Sequence, residues 1–449
     1  MVSTKDKEQK VLNLVIENPA MFSKAIAREV EVGLPELKEI YKKVRGELPN
    51  LAVMPFGESN FTRKILESVV LSHMDRIEKY RNNEFIFPDR LELHLGPTCQ
   101  CACRFCYRWE SGKWKEGKSG LYPKKNNLPL LQEEAITSLL TEFQERGGSE
   151  LFFSGGLEFF TSPFSEHAIR EASRIGIKKI NVYTNGVSDC FDKPEFLELI
   201  VKSVSSIRVS IHANLPATYA FVQMPHKELR EAESEFKKVR SRIKKLVKIR
   251  NSQAGKKRTR ISVSYFVVGD NLKELEESIS FMQKVGVDEI DIRIDMHEKQ
   301  IWFTTSQEKA LTALIRTIKG NLKKGKYLPM GVNARVEARG EMRQVLKFQM
   351  AARCYIPMMK PVINPWGDVY TCCYRAHPAL MKPFFKLGRY PKDGRLLDIL
   401  KNKFEEGYIP YPQCRHCTDW EMAYNTCVEK VIEDWNDGID PTDLPYESK

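Results

Sequence analysis

From about residue 89 onward, short apolar runs alternate with longer stretches whose apolar residues recur every three to four positions. The short runs are residues 91–95, 151–153, 179–183, 207–211, 261–267 and 289–294. Their length and pattern predict strands. Between them lie helical patterns such as 132–145 and 271–284. Six alternations of this kind predict an α/β fold, a parallel sheet with helices outside it. Right-handed crossovers would curl that sheet into a partial (β/α)6 barrel. In such barrels the chemistry sits where strands end and loops begin.

The chain before this core has a different period. Residues 1–56 predict a small helical unit, with helices over 7–17, 23–31 and 35–47. Ser23 is placed as an N-cap and Pro35 near a first helical position. Short helices joined by a turn containing Gly33 predict helix-turn-helix-like packing. Residues 57–88 predict a linker, with a helix over 61–82. The core then spans 89–310 and a connecting segment 311–345. A cysteine-rich domain covers 346–430, and an acidic tail 431–449.

Charge changes the picture in one place. The net charge is +12, and residues 237–260 alone hold seven lysines and five arginines with no acid. Phe236, Val239, Ile243, Leu246 and Val247 recur there at helical spacing. The segment predicts an amphipathic helix with a basic outer face, ending near the polar loop 251–255. Such a face is either simply solvated or a dock for an acidic peptide, a redox protein or RNA. Residues 1–50 hold nine basic and eight acidic side chains. That near-neutral balance disfavours nucleic acid as the partner of the helical unit. A peptide or protein partner fits it better.

Of the 449 residues, 42% are hydrophobic, enough for a large core in two or three domains. Eleven cysteines would suit a secreted disulfide protein. Yet residues 1–17 are studded with charge and lack an apolar signal core, and the cysteines bunch at metal-ligand spacings. A reducing, cytoplasmic setting is expected. No apolar run is long enough for a membrane span, so no membrane partner is expected.

The chemistry is concentrated in the cysteines. Cys99, Cys103 and Cys106 are spaced C-x3-C-x2-C directly after the first predicted strand, with Phe105 just before the third. Three thiolates so placed can hold three irons of a [4Fe–4S] cluster and leave the fourth open to a ligand. Zinc knuckles, the competing reading, usually pair cysteines as C-x2-C twice or add histidines. Cys101 falls inside the motif without fitting its spacing, and reads as a spare thiol. After the second strand comes Ser154-Gly155-Gly156-Leu157-Glu158. Glycines there let the backbone approach a ligand. The third strand ends in Thr184-Asn185-Gly186, and the fourth carries Ser210 and His212. His212 reads as a core or turn histidine. Arg293, Asp295 and His297 follow the sixth strand toward the same end, and a Trp- and Lys-rich loop over 108–127 could cover it.

With these residues the chain resembles the radical S-adenosylmethionine (SAM) superfamily over roughly residues 89–295. The resemblance implies a [4Fe–4S] cluster on Cys99, Cys103 and Cys106. It also implies reductive cleavage of SAM to a 5′-deoxyadenosyl radical, and an electron donor such as flavodoxin or ferredoxin. It places Phe105 on the adenine side, Gly155 and Gly156 beside the SAM amino group, and Asn185 and Ser210 near ribose and carboxylate. The family carries an acid where this chain has Leu157. Glu158 either replaces it or leaves that contact absent.

A second cysteine set lies downstream. Cys354, Gly367 and Cys372 read C-x12-G-x4-C, and Cys414 and Cys417 form a C-x2-C pair. A hairpin with Gly367 in its turn is predicted over 362–370, and a short helix near 396–401. This region resembles the SPASM/twitch extension of radical SAM enzymes. The resemblance implies one auxiliary [4Fe–4S] cluster on Cys354, Cys372, Cys414 and Cys417. A four-cysteine zinc site would use the same ligands. Cys373 and Cys427 remain unassigned. The resulting expectation is a radical SAM oxidoreductase acting on a peptide or protein side chain. An aminosugar or alcohol dehydrogenase and an RNA-modifying protein are the alternatives.

Overall fold

The computed structural model describes residues 4–17, 27, 29–33, 36–37, 40, 73–106, 129–154, 157–253, 258–294, 303–334, 354–373, 376, 385–406 and 419–438. The chain divides into two compact units. The larger spans 87–336 and 359–402, and the smaller spans 1–86, 337–358 and 403–449.

The larger unit is built on one sheet. Its strands, among the described residues, are β1 (Arg90–Leu93), β2 (Glu150–Phe153), β3 (Lys179–Thr184), β4 (Ser206–Ser210), β5 (Arg260–Val267), β6 (Glu289–Ile294), β7 (Gly331–Ala334), β8 (Val362–Ile363), β9 (Asp368–Tyr370) and β10 (Lys386–Arg389). The spatial order is β10-β9-β8-β1-β2-β3-β4-β5-β6-β7. Strands β1 to β7 run parallel in sequence order. This is the predicted core of six alternating strands, extended by a seventh. On the other edge β8 pairs parallel with β1, and β9 and β10 follow antiparallel. The predicted hairpin is therefore present, with Gly367 at φ 84° in its turn.

The register explains why strands of this composition assemble. Leu93, Phe153, Val182, Ile207 and Ile261 align across five strands, and all are fully buried or nearly so. Gly186 sits between Val209 of the sheet and Val239 of the long helix 229–252, so this aliphatic face is the helix side. The alternate positions form the opposite face and are mostly polar, with Phe152, Tyr183 and Phe266 among them. They include Glu92, Asn181, Arg208, Ser210, Ser264, Asp291 and Arg293. A period of two in each strand thus separates a dry face from a chemical one.

Helices in the unit start and stop where local chemistry dictates. They are α3 (Glu133–Glu145), α4 (Ser165–Ile175), α5 (Pro194–Ser203), α6 (Pro216–Gln223), α7 (Leu229–Ser252), α8 (Leu275–Val285), α9 (Thr305–Lys323) and α10 (Leu396–Glu405), the last running on past residue 402. Proline opens α5 and α6. Gly176 and Gly286, at φ 88° and 85°, end α4 and α8 in the left-handed conformation. A capping box between Thr304 and Gln307 starts α9.

The basic segment ends its helix where the sequence reading placed the end, near residues 251–255, but differs from that reading in orientation. Its helix is α7, starting at Leu229 and ending at Ser252, and Arg260 already belongs to β5. Phe236, Val239, Ile243, Leu246 and Val247 form the buried stripe as expected. Arg242 and Arg250, however, are 2% exposed and point inward. Arg242 donates to the carbonyls of Gly186 and Val187 and pairs with Asp189 and Asp192. Arg250 donates to the Gly286 carbonyl and pairs with Asp288. Part of the basic run therefore clamps the turns that follow β3 and precede β6.

In the smaller unit α1 (Thr4–Glu17) carries buried Val11, and Ala27, Val30, Leu37 and Ile40 are also buried. The remainder of the expected helices 23–31 and 35–47 lies outside the described residues. Of the expected linking helix, α2 (Met74–Arg81) is described. It packs on α11 (Asp419–Asn436), where Arg81 donates to Asn436 at 2.7 Å. Arg76 donates to the Met358 carbonyl at 2.6 Å. No described helix is long and apolar enough to cross a membrane.

Candidate active site

The cysteine loop leaves the end of β1 and is held from two sides. On one side, the Glu158 amide donates to the Thr98 carbonyl at 2.9 Å, and Thr161 Oγ1 donates to it at 3.0 Å. Gly96 makes that approach possible, because a Cβ there would lie 1.7 Å from the Glu158 oxygen. On the other side, the amides of Ala102 and Arg104 donate to the carbonyls of Gln223 and Val222, both at 2.9 Å. These carbonyls are orphans of the α6 C-terminus, and the loop satisfies them.

Cys99, Cys103 and Cys106 are half-buried on this loop, and Cys101 is buried. Hydrogen bonds to Cys103 and Cys99, then burial, push the Cys101 thiol well above its ordinary pKa. It stays protonated beside two sulfurs that form the expected ligand set. Among the described residues no three His, Cys, Asp or Glu side chains converge on a single-ion site. The donor set itself suits iron–sulfur chemistry: soft thiolates on one loop, with an amide N–H aimed at sulfur. That N–H belongs to Asn185, whose Nδ2 lies 3.6 Å from Cys99 Sγ and 3.2 Å from Gln100 Oε1. Its Oδ1 accepts from the Val187 amide at 2.9 Å, so the side chain orientation is fixed from both ends.

Glu158 is buried and already engaged. Its Oε1 accepts from Thr184 Oγ1 at 2.7 Å and from the Phe160 amide at 3.3 Å. Its Oε2 accepts from the Asn185 amide at 2.6 Å. Burial raises its pKa to about 7, against these hydrogen bonds, which lower it. The carboxylate thus ties the segment after β2 to the end of β3. Gly155 and Gly156 lie outside the described residues.

Phe105 stacks on Phe266 with centroids 4.2 Å apart and planes 7° apart. It meets His212 edge-on at 4.8 Å. His212 is buried, as its reading as a core histidine requires. Its Nδ1 accepts from the Phe266 amide at 2.8 Å, which puts the neutral ring's proton on Nε2. Burial, then Arg293 and Arg208, lower its pKa to about 3. Gln223 joins this wall to the loop: its Oε1 accepts from the His212 amide and its Nε2 donates to the Ser210 carbonyl. Ser210 itself is half-buried at the end of β4. Asp295, His297 and the 108–127 loop lie outside the described residues.

Sequence reading missed a buried network one strand pair away. His94 Nε2 bonds Glu92 Oε1 at 2.8 Å, Ser154 Oγ donates to the same oxygen, and Lys360 Nζ lies 3.1 Å from Oε2. Burial would raise the Glu92 pKa, but Lys360, His94 and Ser154 outweigh it and hold the carboxyl well below its usual range. A charged residue at an inward position of an otherwise apolar strand was the available signal.

The second cysteine set is divided. Cys372 and Cys373 belong to the larger unit, just after β9, and Cys354 and Cys427 to the smaller. Asn425 Nδ2 lies 3.7 Å from Cys354 Sγ, and its Oδ1 accepts from the Tyr355 amide. Cys427 is fully buried in α11, where burial pushes its thiol up. Cys414 and Cys417 lie outside the described residues.

The sequence model of the Radical SAM superfamily matches residues 93–282. A dTDP-4-amino-4,6-dideoxy-D-glucose ammonia-lyase from Streptomyces venezuelae is 20% identical over 337 residues, which cover 72% of this chain. The chain spans 65% of the length of that curated relative. Among solved structures, Streptococcus suis SuiB bound to S-adenosylmethionine matches with TM-score 0.51 at 13% identity, over 93% of this chain and 87% of that one. SuiB bound to the precursor peptide SuiA matches at 0.50 and 14%, with the same coverage. Likeness at these identities is likeness of fold.

Proposed function

From the premise that this chain belongs to the radical SAM superfamily, matched over residues 93–282, we propose that it oxidatively modifies a side chain of a peptide or protein. The observation that carries this reading is the loop bearing Cys99, Cys103 and Cys106, anchored on both sides at the strand ends. Those three residues would hold the cluster. The chemistry such a cluster would supply is one-electron reductive cleavage of the SAM sulfonium, giving methionine and a 5′-deoxyadenosyl radical able to take a hydrogen atom from a substrate.

The surrounding residues bind and orient. Asn185 donates an N–H to the Cys99 sulfur, and Glu158 fixes the turn that carries Asn185. Phe105, backed by Phe266, offers an aromatic wall for the adenine. Gly155, Gly156 and Ser210 complete the expected SAM contacts. Cys354, Cys372, Cys414 and Cys417 would hold an auxiliary [4Fe–4S] cluster, whose chemistry would be that of a one-electron acceptor for an oxidation. A peptide substrate is supported by the extent of the likeness to SuiB, which was solved with a precursor peptide and matches over 93% of this chain.

A second reading has one observation behind it. The curated relative acts on a dTDP-aminosugar, so a small sugar substrate is the alternative. Anaerobically reconstituted protein, given SAM and a reductant, is expected to form 5′-deoxyadenosine, and Cys103→Ala to form none. Persistence of the product in that variant would overturn the cluster assignment. Mass spectrometry of candidate peptides and aminosugars, incubated with the active protein, then decides between the substrates.

A further inference from the structure

Tyr219 of α6 is fully buried, yet its hydroxyl makes no hydrogen bond among the described residues. We infer that this hydroxyl donates to a sulfur of the [4Fe–4S] cluster that Cys99, Cys103 and Cys106 would hold, and so makes that cluster easier to reduce. The inference rests on the radical SAM reading and adds a positioning residue to it.

Packing alone does not call for a hydroxyl here. The Tyr219 ring lies against Phe236 of α7, with centroids 5.2 Å apart and planes at 47°, a contact that phenylalanine would make as well. A phenol O–H removed from water and left unbonded is costly, and buried tyrosines usually find a partner for it. Tyr265 of β5 shows the ordinary case. It is as deeply buried, and its hydroxyl donates to the Asn271 carbonyl at 3.1 Å.

The acceptors within reach of α6 are sulfurs. Val222 and Gln223 accept the amides of Arg104 and Ala102 at 2.9 Å. Tyr219 lies three and four residues before them, one turn back on the same face of the helix. Burial first, then the charges of Cys101, Cys103, Glu235 and Cys99, push the Tyr219 hydroxyl well above its ordinary pKa. Three of those four neighbours are thiols of the cysteine loop. A phenol is a donor throughout the neutral range, and the sulfurs of an iron–sulfur cluster are anionic acceptors. Reduction adds to their negative charge, so a hydrogen bond to them strengthens in the reduced state. Asn185 aims an N–H at Cys99 Sγ from the end of β3, at 3.6 Å. Tyr219 would act from the α6 side of the loop.

The test is Tyr219→Phe in the full-length chain, compared with wild type both reconstituted and cluster-free. In anaerobically reconstituted protein the loop cluster is identified as the one whose EPR signal changes when SAM is added. At a fixed applied potential, its ratio of reduced to oxidised form should fall by about threefold or more in the variant. Cluster-free Tyr219→Phe should unfold at a urea concentration no lower than cluster-free wild type, since it loses a buried donor that bonds no described residue. A purely structural hydroxyl gives the reverse: an unchanged ratio, and earlier unfolding without the cluster. Either of those results overturns the inference. Failure of a stably folded variant to load the loop cluster counts for it, because the hydroxyl is then needed to hold the cluster. Wild-type protein that forms 5′-deoxyadenosine, with an unchanged ratio in the variant, sinks the role of Tyr219 and leaves the radical SAM reading standing. Absence of any SAM-responsive cluster in the wild type overturns both.

Discussion

His212 shows how one buried side chain couples the candidate site to stability. Its folded pKa, about 3, lies below the unfolded value of about 6.5. Below that unfolded value the denatured chain takes up a proton that the native ring refuses until about 3. The stability tied to His212 is therefore full above pH 6.5 and drains as pH falls toward 3, by about 1.4 kcal/mol per unit within that window. In His212→Asn, Oδ1 can replace Nδ1 as acceptor from the Phe266 amide without titrating. Urea unfolding of both proteins from pH 7 to 4 should show the wild type losing ground to the variant as pH falls. A stability difference independent of pH would show that the ring is not the buried neutral group described. At the same scale, Asn185 and Asn425 do one thing twice. Each aims an amide N–H at the sulfur of a cysteine expected to ligate iron, Cys99 and Cys354 respectively. Hydrogen bonds to sulfur are among the levers on cluster potential.

Among the elements, α7 carries the clearest lesson about what a sequence discloses. Its apolar stripe was legible from periodicity, as were the six parallel strands and the Gly367 hairpin. The inward course of Arg242 was not. Nothing in a run of twelve cations marks which one will find two carbonyls and two aspartates from distant turns. Those partners decide its burial. The engagement of Glu158 was hidden for the same reason: Thr184 and Asn185 lie 26 and 27 residues away, and only the β2–β3 pairing brings them together. Arg242→Met should cost about 2–3 kcal/mol in unfolding free energy, because two carbonyls lose their donor and two aspartates their counter-charge. Lys245→Met, at an exposed position of the same helix, should change stability by less than about 0.5 kcal/mol. Equal effects in the two would mean that the helix contributes through net charge alone.

At the scale of the whole molecule, the cysteine inventory sets a stoichiometry. If Cys354, Cys372, Cys414 and Cys417 hold a second cluster, reconstituted protein should contain about eight irons per chain, and Cys354→Ala about four, by combined iron and sulfide assay. A wild-type value of about four, with zinc found by metal analysis, would replace the auxiliary cluster with a structural ion. The match to the Radical SAM superfamily ends at residue 282, but the sheet does not. Strand β1, which launches the cysteine loop, takes its outer neighbour from β8, some 270 residues later. Lys360 reaches back from that segment to neutralise Glu92. The outer edge of β1 is thus covered only by this much later segment of the chain. A fragment cut at the family boundary would keep that edge open permanently, with Glu92 stripped of its cation and a row of backbone donors and acceptors offered to any passing strand. Self-association of such a fragment is the natural outcome, and the loop bearing Cys99, Cys103 and Cys106 would be the part nearest the damage.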